Sequence, residues 1–569
     1  MLNRFGKSWL AISLMLILFF MFAACDTGED EEPGEGEIKC HKDTDGDGYG
    51  NPQHSVISKH DECPEGWSED GTDCDDGDAD LFAWLDGSED ADHDGYGVGE
   101  PDQQVCSGEE LPEGYGPEGG DCDDNDPLKH PAAFDFPDDN IDQNCDGVDF
   151  ERSEEVGIFV SPMGSDQGTG KMDDPLLVLS DAVDLAAAQG KVVFVAEGQY
   201  FYDLSVTATV SMFGGYEDAS WSRNITLYPS IIPAGSTKPA VRIEGGVGET
   251  IVFEGFTVHG DDYALATTGV RVSAGTTAIV ANNLIYGGNG GASCNGVSSK
   301  GDITLLGNRI TGSRGAPTGA VGVYINGGTA LLVDNIIEAN DALGAVSMDG
   351  VQVINAEATL IRNQISGGTG GTSTSSVEVN NSDVTLVNNL LFSGFDCTSV
   401  TGVSVTNSQF AALNNVIFAN ADEDNVTGIK MNTVTAAYLV NNIVDVRSNY
   451  WAYGLHLNDS QNVYLLNNDL FVHGEDPLSS GLIYLAGDDL TTLADVEACE
   501  WTGCAQAEDN LAEDPAFDLE GTFHLQAGSP CVDAGRDIAP WYFGPWFNID
   551  WDLDDRPQGA GWDMGIDEF

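Results

Sequence analysis

The chain has 569 residues, 41% of them hydrophobic, and a net charge of −74 at pH 7. That length predicts several domains or one elongated repeat domain. Half of the excess charge lies between Asp26 and Asp149, where 41 acids face four lysines; such a surface repels nucleic acid, which is excluded as a partner, and attracts divalent cations.

In chain order, Arg4 and Lys7 precede an apolar run from Leu10 to Phe22, and Ala23-Ala24 leads into Cys25. Residues 1–24 read as a signal peptide, too short and wrongly flanked to span a membrane. Cysteine directly after small residues resembles a bacterial lipoprotein lipobox. The resemblance implies that Cys25 is acylated, and that the membrane is a partner through a lipid anchor on an exported, outer-membrane, cell-surface protein. Residues 25–38 have no apolar content to fold with and predict an acidic, self-repelling tether.

Residues 39–150 contain two copies of one pattern. The first is Asp43-Thr-Asp45-Gly-Asp47-Gly48-Tyr49-Gly50, then Cys63-Pro-Glu-Gly-Trp67, then Asp73-Cys74-Asp75-Asp76-Gly-Asp78. The second is Asp90-Ala-Asp92-His-Asp94-Gly95-Tyr96-Gly97, then Cys106, then Asp121-Cys122-Asp123-Asp124-Asn125-Asp126. A closing run carries Asp142, Asn144 and Asp146 around Cys145. Carboxylates at alternate positions followed by glycine suit a hard cation, and Ca2+ takes about six to eight oxygens. The twelfth position, where an EF-hand has glutamate, holds His54 and Pro101, so the Asp-Cys-Asp-Asp runs must complete the ligand set. With no His/Cys cluster at ligand spacing, Ca2+ is favoured over Zn2+ or Cu2+, as a structural cofactor. The combined spacing resembles the MopE-like metal-binding motif of bacterial surface proteins, and also thrombospondin type 3 repeats. Six cysteines in a segment with little apolar core predict disulfides. Proximity within one repeat favours Cys63–Cys74 and Cys106–Cys122. Cys499 and Cys504 could close a small loop, and Cys294, Cys397 and Cys531 read as buried thiols.

From residue 151 to 490 the sequence repeats every ~26 residues. Asn283, Asn308, Asn335, Asn363, Asn389, Asn415, Asn442 and Asn468 each follow a short apolar stretch. In phase with them, Gly-Val, Gly-Ile or Gly-Leu opens an alternating strand, with Ser376-Val filling the one missing place. The unit is too short for a propeller blade and lacks the helix of leucine-rich or ankyrin repeats. It fits a coil of three short strands stacked ~4.8 Å apart. The pattern resembles the pectate-lyase-like right-handed parallel β-helix, an all-β solenoid, here of about ten to twelve coils, preceded by a small loop-rich, Asp-rich segment held by disulfides and Ca2+. The resemblance implies that the asparagines form a structural ladder at the turn after the second strand. Open solenoid ends must be covered. Pro175–Ala188 predicts an amphipathic helix over the first coil, and residues 491–569 a C-terminal cap, with the aromatic run Trp541–Phe547 sealing the last coil or contacting sugar.

Enzymes of that fold work along the first sheet, here the Gly-Val strands. Alternation places Arg271, Ser298, Tyr324, Gln352, Glu378, Ser404, Lys430, His456 and Ile483 outward. Glu378, Lys430 and His456 could support proton abstraction, but the face lacks stacked aspartates and the body is acidic. Two functions are therefore expected. The first is a non-catalytic surface protein, a Ca2+-stabilised stalk presenting a β-helix for adhesion, envelope structure, or binding to carbohydrate or another surface protein. The alternative is a tethered polysaccharide lyase or glycoside hydrolase.

Overall fold

The computed structural model describes residues 37–569 apart from 113, 202–203, 236–238, 246–247, 263–265, 290–291, 314–317, 341–344, 422–424, 475–479, 486–488, 519–521, 540, 542–543, 545 and 547. Cys25 and nearly all of the expected tether lie outside the described residues. Ile38, its expected last residue, pairs with Ser58 in a strand spanning Ile38–Lys42. The chain forms two compact units: one runs to Glu89 and includes Gly99–Gly119, the other comprises Asp90–Val98 and Gly120–Phe569. The units therefore do not part at residue 150. The second Asp-x-Asp-x-Asp loop and the closing acidic run belong with the solenoid.

The smaller unit is built on two antiparallel hairpins, Ile38–Lys42 with Asn51–Ser58 and Ala83–Glu89 with Gln103–Ser107. Its bridges are Cys40–Cys63 and Cys74–Cys106, and Cys122–Cys145 follows in the larger unit, with Cα separations of 5.7, 5.5 and 5.6 Å. The expected pairs Cys63–Cys74 and Cys106–Cys122 do not form. Strand pairing rather than sequence distance decides: Cys106 lies opposite Trp84, beside the Leu81 and Ala83 carbonyls that Cys74 meets. Cys499–Cys504 forms as expected, and Cys294, Cys397 and Cys531 are buried and free of disulfides.

The larger unit is a parallel β-helix. Among the described residues its sheets hold eleven, thirteen and eleven strands, each strand pairing with the strand one coil away. From Val192 to Tyr484, again among the described residues, the chain passes through the second, third and first sheets eleven times, and the second sheet carries one further strand at each end. Val270, Val297, Val323, Val351, Val377, Val403, Ile429 and Leu455 form one fully buried inward column. Among the described residues no helix is long and apolar enough to cross a membrane.

The asparagine ladder runs at the corner between the second and third sheets. Asn389 donates from Nδ2 to Asn415 Oδ1 at 3.0 Å and to the Leu360 carbonyl at 2.7 Å, and its backbone N–H donates to the same Asn415 oxygen at 2.9 Å. The pattern repeats from Asn283 to Asn468, which bonds a ninth member, Asn510, at 3.2 Å. The residue before each ladder asparagine takes the left-handed conformation, with φ of 54° at Asn388 and 57° at Asn414. Asparagine tolerates that region best after glycine, which explains the recurring Asn-Asn pair.

Helix α1 (Leu179–Gln189) covers the first coil through Leu179, Ala182, Val183 and Ala186. It starts later than the expected Pro175 because Leu176 bridges Val160. At the other end Val496 of helix α2 (Leu493–Glu497), with Trp501 and Ala507, joins the core. Of the run expected to seal the last coil, Tyr542, Phe543 and Phe547 lie outside the described residues, while Trp541 and Trp546 pack at the ladder corner. The C-terminal segment instead lies along the flank of the ladder corner, where Ile538, Trp546, Ile549 and Trp562 cover Val333, Ile361, Val387, Leu413, Val440 and Leu466.

Candidate functional site

In each acidic loop the backbone ties off one oxygen of several carboxylates and leaves the other aimed inward. In the first, Asp43 Oδ1 accepts from the Gly46 N–H at 2.7 Å, Asp47 Oδ1 from Tyr49 at 2.8 Å and Asp73 Oδ1 from Asp75 at 2.8 Å. The Oδ2 atoms of Asp45, Asp47 and Asp73 are buried without a hydrogen-bond partner. Asp76 fastens the ensemble by accepting from both N–H and Oγ1 of Thr44 at 2.7 Å. Asp43, Asp45 and Asp47 offer oxygens lying within 4.8 Å of one another.

The second loop repeats this inside the larger unit. Asp90 accepts from His93 at 2.7 Å and Gly95 at 3.0 Å, Asp94 from Tyr96 at 2.7 Å, Asp121 from Asp123 at 2.7 Å, and Asp124 from Ala91 at 3.1 Å. Both oxygens of Asp92, and Oδ2 of Asp94 and Asp121, are buried and unpartnered. Burial first, then the neighbouring carboxylates, pushes the Asp92 carboxyl up to about 8 and Asp94 up to about 7. Burial likewise raises Asp45, Asp73 and Asp121. Buried carboxylates facing one another are costly unless a cation sits among them, so these donors fit a hard, oxygen-loving metal.

The remaining expected ligands are placed otherwise. Asp123 and Asp126 hold Lys129 Nζ at 2.7 and 2.9 Å. Asp75 and Asp78 shape the turn after the first cluster, Asp78 Oδ1 accepting from Asp80 at 3.2 Å. In the closing run Asp142 accepts from Asp146 and Gly147, Asn144 from Asp146, and Asp146 from Val148 at 3.0 Å. Two further acids lie beside that run: Asp135, raised to about 6 chiefly by burial, and Asp149, with a buried unpartnered Oδ1. Neither sits in the alternating spacing that marked the others.

On the outer face of the first sheet, the expected register holds from Arg271 through Ser298, Tyr324, Gln352, Glu378, Ser404 and Lys430 to His456. Its last member is Tyr484, not Ile483, which is buried opposite Leu455. Gly481 pairs with Tyr453 rather than Gly454, and a one-residue slip exchanges the two faces of a strand. Lys430 and His456 are direct register partners, whereas Ser404 stands between Lys430 and Glu378. Burial, then Lys430, lowers the His456 imidazole.

Glu378 is engaged elsewhere. It accepts from Gln352 and from Asn380 Nδ2 at 3.1 Å, and its charge acts on Asp349, a buried carboxyl that sequence reasoning missed. Burial, then the Glu378 charge, pushes Asp349 up to about 7.

Residues 290–470 match the family described as "Right handed beta helix region", and residues 121–151 match the one described as "Putative metal-binding motif". No match to a curated protein was found. Among solved structures, the chain is similar to the Dettilon tailspike protein (gp208), at 13% identity over 58% of this chain and 68% of that one, TM-score 0.35. It is similar to pectate lyase Pel9A, at 13% identity over 73% and 97%, TM-score 0.34. It is also similar to XylC in its complex with xylose, at 11% identity over 72% and 98%, TM-score 0.37. Each is a likeness at low identity, and none speaks to chemistry.

Proposed function

We propose that this chain is a surface protein, lipid-anchored in the outer membrane through Cys25, whose acidic loops hold structural Ca2+ and whose β-helix binds carbohydrate or another surface protein without transforming it. The observation that carries the metal reading is Asp92, with both carboxylate oxygens buried and unpartnered among Asp90, Asp94, Asp121 and Asp124. Every donor in the two clusters is oxygen, and the nearby cysteines are spent in bridges, which favours Ca2+ over softer metals. Mg2+ asks for near-ideal octahedral geometry and keeps several waters, a poorer match for so many carboxylates.

Titration of Ca2+ into chelator-treated protein, followed by a thermal melt, tests this. Heat of binding and a higher melting temperature are expected, with Asp92→Asn removing one binding event and part of the thermal gain. Absence of heat and of any thermal shift would refute the metal assignment. The anchor is tested by following Cys25→Ser, which should move the protein from the membrane to the soluble fraction.

The adjacency of Lys430 and His456 favours a second reading, a tethered polysaccharide lyase or glycoside hydrolase. Turnover of a polysaccharide that disappears in both Lys430→Ala and His456→Ala would establish it in place of the first.

A further inference from the structure

The last coils of the solenoid carry aromatic side chains that the core does not use. In the strand Ala452–Asn458, Ala452, Leu455 and Leu457 point inward, and Tyr453 and His456 lie on the outer face. The two residues before the strand, Tyr450 and Trp451, are 55% and 44% exposed, their rings parallel within 11° and centred 6.3 Å apart. Leaving two large rings in water forfeits burial free energy that a fold would otherwise collect. Trp451 borders a cavity of about 190 Å3 that is also lined by Thr427, Lys430, Tyr453, His456 and Tyr484.

The walls of this cavity are fixed. Tyr484 packs 4.5 Å from the His456 ring and 5.1 Å from the Tyr453 ring, and Tyr453 Oη donates to Asp489 at 3.0 Å. The cavity thus combines aromatic surfaces with an ammonium, an imidazole held toward its neutral form, and a hydroxyl. A sugar ring carries that chemistry in complement: an apolar C–H face that stacks on an aromatic, and a rim of hydroxyls that donate and accept. The cavity is of the size of one such ring. Lys430 is the one fixed cation in the lining, too little countercharge to grip a polyanion, so the matched ligand is uncharged.

We propose that Trp451, Tyr484, Lys430 and His456 form a binding site for a neutral saccharide; the site rests on the binding reading of the β-helix given above. Exposed Trp and Tyr also anchor protein partners, and retardation by none of the polymers below would favour that occupant instead.

The test is affinity electrophoresis of the full-length, Ca2+-loaded protein in gels containing xylan, a β-1,3-glucan, galactan or polygalacturonate. Retardation by at least one neutral polymer is expected, weakened about tenfold or more in Trp451→Ala and in Lys430→Ala, as loss of one well-placed contact implies. Because Trp451 is 44% exposed and lies outside the core cluster, its replacement should change the melting temperature little, which separates loss of site from loss of fold. Retardation by polygalacturonate alone, retardation by none of the four, or full binding by Trp451→Ala overturns the site. Full binding by that variant would still leave the β-helix a binding surface. Time-dependent shortening of a bound neutral polymer by the wild type would instead overturn the non-catalytic reading while the site stands.

Discussion

Each Asn-Asn pair of the solenoid divides two tasks between chemically identical residues. The second asparagine turns inward and builds the ladder; the first, forced left-handed, presents its amide outward. Asn388 Nδ2 donates to the Ile549 carbonyl at 2.7 Å, and Asn467 Nδ2 to Ala534 at 2.9 Å, so at these pairs the outward amide receives the C-terminal segment. Where the pair is broken another device serves: Arg362, left-handed at φ 52°, is held by Asp334 through two hydrogen bonds of 2.9 and 2.7 Å and lies over Trp546. Asp349, outside the acidic loops, also sits in an environment that opposes its ordinary state. Its folded carboxyl, raised to about 7, keeps a proton that the unfolded chain releases near 3.8. Between those values the folded state binds more protons, so stability falls as pH rises through the window and stays lowered above it. One pH unit of such separation is worth about 1.4 kcal/mol, so the full effect is a few kcal/mol. Asp349→Asn removes the titration while its amide still reaches Ser347 and Ser375. The variant should gain little over wild type at pH 4 and clearly at pH 8 in thermal melts; an equal difference at both pH values would refute the assignment.

At the scale of the element, glycine recurs in the first sheet because the third sheet leaves no room for a Cβ. A Cβ at Gly269 would lie 2.6 Å from Ile285 Cγ2, and at Gly322 or Gly402 2.5 Å from Ile337 or Ile417 Cγ2. Ser376 breaks the series, and its third-sheet neighbour breaks it too: Leu391, the register partner of Ile365 and Ile417, has no methyl branching from Cβ. The serine also uses its hydroxyl, donating to the Gly402 carbonyl at 2.6 Å. Leu391→Ile should therefore overpack, costing ~1–3 kcal/mol, and Ser376→Gly should relieve it. A double-mutant cycle by denaturant unfolding is expected to show a coupling of at least ~1 kcal/mol; additive effects would mean that the two sites do not meet. The glycine and asparagine registers were legible from spacing alone because each coil faces the same constraint. Asn510 was not, since α2 and its approach stretch the interval from Asn468 to 42 residues. A serine ladder at the corner of the first and second sheets, where Ser382 N donates to Ser408 Oγ at 3.1 Å, was hidden because Ala356 and Val434 interrupt it. The acidic loops were legible in their Asp-x-Asp-x-Asp spacing. That Lys129 claims Asp123 and Asp126 depends on a turn that the local pattern does not encode.

In the solenoid as a whole, stability should be close to a sum of coil and nearest-neighbour terms, which alone gives weak long-range cooperativity. The C-terminal segment changes that. Its apolar side chains cover Val333, Ile361, Val387, Leu413, Val440 and Leu466 in one row, and Leu525, Cys531, Met564 and Ile566 cover Leu390, Val416 and Ile443 in a second. The six aliphatics of the first row are at most 1% exposed. Uncovering them costs on the order of 10 kcal/mol as an upper estimate, shared among coils that otherwise touch only their neighbours. The ladder already ends at Asn510 and the last coil is covered by Val496 and Trp501, so a chain ending at Ala512 retains what the coils need locally. It should keep its β-sheet circular dichroism yet unfold in urea at a lower midpoint and with a shallower or divided transition, because the strap that makes distant coils open together is gone. Size-exclusion chromatography should also show self-association through the exposed rows. A truncated chain with the midpoint and slope of the full-length protein would mean that the coils are coupled by stacking alone.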